Sequence, residues 1–257
     1  MTSFRDSLSY TPIELAFGTS GLRDLVTSMT DLECYINAAG FLKFLVEQNH
    51  LGKGERVLLA GDLRESTPRI LAAIHQAVTD LGFKSENHGL VPTPALAYAA
   101  LERNAPCIMV TGSHIPADRN GIKFYKKGGE VLKEDEAPIK QCIQSERQTQ
   151  YGQEVASSAF AEDGSLKMRP NLPAADAGAA ELYKERYLSV FGSGCLSGKK
   201  IVFYQHSAVG RDLLVDLFAK LGAEMIPEGR SEVFVPVDSE NVTPKHLVYF
   251  KQLAEKH

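Results

Sequence analysis

Three short polar segments hold most of the side chains able to do chemistry: Phe17-Gly18-Thr19-Ser20-Gly21-Leu22-Arg23, Gly61-Asp62-Leu63-Arg64-Glu65-Ser66 and Thr111-Gly112-Ser113-His114-Ile115-Pro116. Ser113 is the nucleophile candidate. It follows an apolar run ending at Thr111, and the carboxyl edge of such a strand is where an open α/β sheet binds ligands. Gly112 lets the chain approach a ligand closely. A lone turn serine ordinarily makes only a local hydrogen bond, so its neighbours decide. His114 can donate to an anion, the loop offers backbone amides, and Lys123 follows an Asn120-Gly121 pair that reads as a turn returning its strand toward the serine. Together they describe a phosphate cradle. Taken singly, His114 is equally a loop cap and Lys123 a solvated strand residue.

In the first segment Gly18 and Gly21 permit close approach to phosphate oxygens, Thr19 and Ser20 add hydroxyls, and Arg23 offers a planar, permanently charged fork. The pattern is neither GxxxxGKS/T nor GxGxxG, so by itself it is weak. Asp62 and Arg64 can pair to hold neighbouring loops, and Arg64 joins Thr19 and Ser20 as a phosphate-binding candidate. Adjacent Ser113 and His114 also suggest a serine hydrolase. Neighbours on an extended chain point to opposite faces, however, and GxSxG is missing.

The elements that must position these groups alternate in type. Helical spacing of Leu32, Tyr35, Ile36, Ala39, Leu42, Leu45 and Val46 predicts a helix over 31–48 with Asp31 as N-cap. Val57 to Gly61 reads as a buried strand, followed by a helix from Pro68 that ends at Leu81-Gly82. A short strand, a helix from VPTP to Leu101, the strand Cys107 to Thr111 and the strand-like IKFY follow. The fold class is therefore α/β.

Residues 151–178, rich in Ala, Ser, Asp and Pro, read as a connection between a domain over 1–150 and a partial one over 179–257. A helix over Glu181–Phe191, a strand over Lys200–Gln205, a helix from Val209 to Leu221-Gly222, strand material up to Pro236 and a helix from Thr243-Pro244 are expected beyond it. Arg56–Gly82 and Lys200–Gly222 repeat one outline: charged residue, apolar strand, polar loop with arginine, amphipathic helix, Leu-Gly.

Composition limits the function classes. The 257 residues are 44% hydrophobic and 23% charged, which suits a globular protein with a large core. A net charge of -4, without a basic run, gives no field for nucleic acid. The amino terminus lacks a signal-peptide pattern and no apolar segment reaches membrane-spanning length, so a cytoplasmic location and no membrane partner are expected. Cys34, Cys107, Cys142 and Cys195 are scattered, without CxxC, and read as reduced, mostly buried thiols.

FGTSGLR at 17–23, GDLRESTP at 61–68, VPTPALAYA at 91–99 and TGSHIPADRNGIKFY at 111–125, in this order, resemble the amino-terminal part of the α-D-phosphohexomutase family, which includes phosphoglucomutases and phosphomannomutases. KIVFYQHSAVGRDLL and FVPVDSENVTP continue the likeness more loosely. The resemblance implies two successive three-layer α/β/α domains with mixed sheets, the second incomplete. It implies a phosphoserine at Ser113 that exchanges its phosphoryl group with a hexose 1- or 6-phosphate through a bisphosphate intermediate. Arg23, His114 and Lys123 would surround it, the last two in proton transfer, and Mg2+ would be held in part through the Ser113 phosphate.

The family asparagine after Ser-His is Ile115 here, the glycine after the first-loop arginine is Asp24, and the metal-binding D-x-D-x-D is absent from the sequence. That loop would follow the helix at 243–255. The resemblance thus implies roughly the first half of a mutase, one that presents Ser113 without completing the reaction alone, with a second polypeptide carrying the remaining domains as a conceivable partner. The alternative is a non-catalytic module binding phosphate or sugar phosphate.

Overall fold

Two apolar runs make the centre of the sheet. Val57 to Ala60 and Cys107 to Val110 are buried throughout, as strands covered on both faces must be. The structure, a computed structural model, describes residues 3–18, 21–235, 237 and 242–257. Along the chain come α1 (Phe4–Ser7), β1 (Gly21–Leu25), α2 (Asp31–Glu47), β2 (Arg56–Gly61), α3 (Thr67–Asp80), β3 (Lys84–Leu90), α4 (Thr93–Glu102) and β4 (Cys107–Val110). Then follow β5 (Arg119–Lys126), β6 (Gly129–Glu130), α5 (Glu136–Gly152), α6 (Gly178–Phe191), β7 (Lys200–His206), α7 (Arg211–Lys220), β8 (Glu224–Arg230) and α8 (Pro244–Lys256).

The main sheet has the order β1-β5-β4-β2-β3, with β6 on β5. β2 is parallel to β3 and β4, while β5 is antiparallel to β4 and β1. Strand residues alternate between two cores. Val57, Leu59, Ile108, Val110, Ile122 and Phe124 pack with α2, α3 and α5, whereas Leu58, Ala60, Cys107, Met109 and Tyr125 pack with α4 and the start of α6. The result is a three-layer α/β/α body around a mixed sheet.

A smaller α/β unit follows, in which β7 and β8 pair in parallel around α7. Tyr204 of β7 meets Tyr249 and Phe250 of α8 edge-on at 5.4 and 5.5 Å. Its strands are only half-buried over most of their length. Cys34, Cys107 and Cys142 are buried and Cys195 is exposed. Among the described residues, no helix is long and apolar enough to cross a membrane.

Four local expectations change. Thr30, not Asp31, caps α2: its backbone is extended and its Oγ1 accepts from Glu33 N at 3.2 Å. Asp31 instead binds Arg69 at 2.7 Å and accepts from Leu166 N at 2.9 Å. Gly21, Leu22 and Arg23 of the first glycine loop belong to strand β1. Asn120-Gly121 is not a turn but lies within β5, because buried Asn120 donates to Ser66 Oγ and Thr67 Oγ1 across the sheet. Finally, the expected connection over 151–178 is packed structure in its first part: Phe160 and Leu166 bridge to each other and join the main core. Two apolar anchors in a polar stretch escape a composition reading.

Candidate active site

Ser113 lies in the loop that leaves β4 at Thr111 and returns into β5. Backbone bonds hold its base: Thr111 N donates to Gly121 O at 3.0 Å and Asp62 N to Val110 O at 3.0 Å. Ser113 N donates to Thr111 Oγ1 at 3.0 Å, and Ser113 adopts a φ of +52°. That left-handed conformation costs an L-residue of this kind about 1–3 kcal/mol and persists only where the surroundings over-determine it. It also turns Ser113 and His114 toward each other, contrary to the opposite faces expected of an extended chain. Ser113 Oγ is 3.4 Å from His114 Nδ1, and the serine is exposed.

Asp62 and Arg64 supply the over-determination. The Asp62 carboxylate accepts from Arg64 N, Thr67 Oγ1 and Gly112 N at 3.0, 2.7 and 3.0 Å, and faces Arg64 Nε at 3.4 Å. Arg64 Nη1 donates to the carbonyls of Pro116 and Arg119 at 2.6 and 2.8 Å, and Nη2 to those of Ile115 and Ser113 at 2.6 and 3.3 Å. Arg64, 3% exposed, is thus committed to the serine loop through both Nη atoms, its buried Nε lacks a hydrogen bond, and it has no fork left for a phosphate. Burial draws its pKa down while the charge of Asp62 opposes that. Gly112 is required here, since a Cβ at that position would collide with the guanidinium.

Arg23 and Lys123 meet on one sheet face. Arg23 pairs with Gly121 and Gly21 with Lys123, so the two cations are diagonal neighbours across β1 and β5. They share the face opposite Leu22 and Ile122, the one on which α4 packs. A Cβ at Gly121 would lie 3.2 Å from Arg23 Cγ, so the bare glycine makes room for the arginine. Neither side chain has a hydrogen-bond or ion-pair partner among the described residues. They flank the serine loop and do not line the cleft described next. Thr19 and Ser20 lie outside the described residues.

The cleft beside Ser113 measures about 350 Å³. The first body contributes Asp62, Leu63, Pro92, Thr111, Ser113 and His114. The opposite wall comes from the smaller unit, chiefly His206, Ser207, Val209, Leu214 and Phe234. Phe234 also covers the clamp, with its ring centroid 4.4 Å from Arg64 Cζ. His206 and Phe234 were not among the sequence candidates. The internal repeat held the signal for His206: counted from Arg56 and Lys200, it stands where Asp62 stands.

Mg2+ finds no ligand set among the described residues. Among the described residues no three His, Cys, Asp or Glu side chains group to hold a metal, and Asp62 is committed to its own loop. The chain's own groups can bind and shield an anion and move a proton between Ser113 Oγ and His114 Nδ1.

Residues 14–150 match the family described as phosphoglucomutase/phosphomannomutase, alpha/beta/alpha domain I. The chain is similar to a phosphomannomutase of Sinorhizobium fredii (strain NBRC 101917 / NGR234), 37% identical over 227 residues covering 88% of this chain and 45% of the relative. A phosphomannomutase of Salmonella muenchen is 39% identical over the same length, covering 43% of itself. The chain thus spans less than half the length of these curated relatives. Its fold is similar to a crystal structure of a phosphoglucomutase/phosphomannomutase family protein from Burkholderia thailandensis, with a TM-score of 0.66 and 21% identity, covering 96% of this chain and 50% of the other.

Proposed function

This chain belongs to the phosphoglucomutase/phosphomannomutase family, and from that premise we propose that Ser113 carries a phosphoryl group to and from a hexose phosphate. The observation that carries this reading is the state of Ser113: an exposed hydroxyl on a strained backbone, inside a loop whose carbonyls are fixed by a buried arginine. A phosphoryl carrier needs that rigidity, because positioning and fixed charge do most of the work in phosphoryl transfer.

In the proposed cycle the Oγ–P bond of phosphorylated Ser113 breaks as a hydroxyl oxygen of a hexose 1- or 6-phosphate bonds to phosphorus. The hydroxyl proton leaves to His114, Ser113 Oγ takes a proton from the Lys123 ammonium as its bond to phosphorus breaks, and a hexose bisphosphate is formed. The bisphosphate turns over and its other phosphoryl group returns to Oγ, so one hexose phosphate is converted to its isomer. Arg23 and Lys123, cations without partners among the described residues, would face the charge spread over the transferring oxygens. Mg2+ is the cofactor expected for such chemistry; the described residues offer it no ligand set and no step here uses it.

The test is intact-mass measurement of the 257-residue chain after exposure to α-D-glucose 1,6-bisphosphate in magnesium buffer. One added phosphoryl group, absent from Ser113→Ala, is expected. No adduct, with hexose phosphate still bound, would replace this reading with a non-catalytic sugar-phosphate module.

A further inference from the structure

His206 is a group in the cleft wall whose chemistry nothing above uses. It ends β7 at the rim of the cleft that also exposes Ser113 and His114. Its φ is +33°, in the left-handed region, although it is not glycine. Its carbonyl is fixed from two sides, accepting from Arg211 Nη1 at 3.1 Å and from Ser231 N at 3.0 Å. Its Nδ1, by contrast, is buried and has no hydrogen-bond partner.

A strained backbone and an unsatisfied buried ring nitrogen are two costs at one residue, and such costs cluster where a ligand is held. Neither is needed to hold the turn, since asparagine or glycine adopts this φ more readily.

The surroundings narrow what the ring would meet. Arg211, a neighbouring permanent cation, already holds the carbonyls of His206 and Ser231 and the carboxylate of Glu232. Burial pulls the imidazole below its ordinary pKa, and the charges of Arg211 and His246 act in the same direction, so the ring is neutral near pH 7. A neutral imidazole has one donor and one acceptor nitrogen, which matches a sugar hydroxyl better than a phosphate. Beside it Pro92, Val209, Leu214 and Phe234 give the cleft an apolar flank for the C–H face of a pyranose.

We propose that His206 hydrogen-bonds a ring hydroxyl of the hexose phosphate, making the smaller unit a specificity-determining wall of the Ser113 site. The proposal rests on the reading of Ser113 as the phosphoryl carrier but predicts binding, which can be measured without transfer.

Calorimetric titration of the 257-residue chain with α-D-glucose 1-phosphate, α-D-mannose 1-phosphate and inorganic phosphate tests it. His206→Gly keeps the φ and removes the ring; His206→Asn also suits the φ and keeps a donor and an acceptor. His206→Gly is expected to weaken at least one hexose phosphate about three- to tenfold, the loss for one neutral hydrogen bond, leave inorganic phosphate unchanged and alter the glucose-to-mannose ratio. His206→Asn is expected to recover most of the loss. Unchanged hexose phosphate affinity in His206→Gly overturns the proposal, as does an equal loss for inorganic phosphate or a wild-type chain that binds neither sugar. A chain that shows the His206 effect but takes no phosphoryl group on Ser113 overturns only the carrier reading.

Discussion

The strand-helix-strand units β2-α3-β3 and β7-α7-β8 begin alike: both pair in parallel from their first residue, Arg56 with Lys84 and Lys200 with Glu224. Each follows its first strand with a buried arginine, Arg64 or Arg211, that grips backbone carbonyls. They part in how many partners the arginine has. Arg64 is matched by four carbonyls and by Asp62, itself bound to three donors. Arg211 has two carbonyls and Glu232, whose side chain is 74% exposed. At the position of Asp62 the second unit has His206 with a free Nδ1. Dense bonding through both Nη atoms fixes a loop in one place, where only the buried Arg64 Nε lacks a hydrogen bond; in the other a residue that lines the same cleft keeps a buried Nδ1 without a partner.

Removing each arginine should break that comparison most. Arg64→Ala leaves Asp62 and four carbonyls without their partner in a buried site, and is expected to cost about 3–5 kcal/mol in urea unfolding along with phosphoryl uptake by Ser113. Arg211→Ala uncovers groups closer to water and is expected to cost about 1–2 kcal/mol. Equal losses would show that the two clamps do not differ as described.

The glycines sharpen the same contrast at smaller scale. Gly112→Ala drives a methyl into the Arg64 guanidinium and is expected to cost about 1–3 kcal/mol. Gly210, which opens α7 with a φ of −84°, would place its Cβ no closer than 3.5 Å to Pro92. Gly210→Ala should stay within about 0.5 kcal/mol of wild type.

The smallest effect concerns protons. Burial holds His75 of α3 below the ordinary imidazole pKa, so as pH falls the unfolded chain takes up a proton that the folded one refuses. This contribution to stability is complete above the ordinary imidazole value and is lost as pH falls through it toward the folded-state value. Urea midpoints should drop between pH 7 and pH 5, and His75→Gln should remove part of the drop. His88 and His206 are shifted in the same direction and would carry the remainder.

Much of the first body was legible because its signals are local. The apolar runs at Val57 and Cys107, the helical spacing after Asp31 and the Leu-Gly stop at 81–82 reflect periodicity and backbone preference, which need no partner. Asn120-Gly121 failed as a turn because Asn120 has buried partners in another loop. Phe160 and Leu166 failed as linker residues because a core more than a hundred residues earlier in the chain receives them. Arg64 is a phosphate-binding candidate by type alone; four carbonyls from a loop some fifty residues away claim it first.

Sequence alone determined which residues could be chemical: Ser113 with its glycine and histidine, the Arg23 segment, and the repeated strand-loop-helix outline. Residue type and short spacing suffice for that, since a nucleophile, a cation and a flexible hinge are properties of single residues and near neighbours. Tertiary structure alone decided their assignments. It turned Ser113 toward His114 through a left-handed backbone, set Arg23 diagonal to Lys123 across two strands, committed Arg64 to the loop and brought His206 to the opposite wall. Each of these depends on burial and on partners distant in the chain, and no local pattern encodes them.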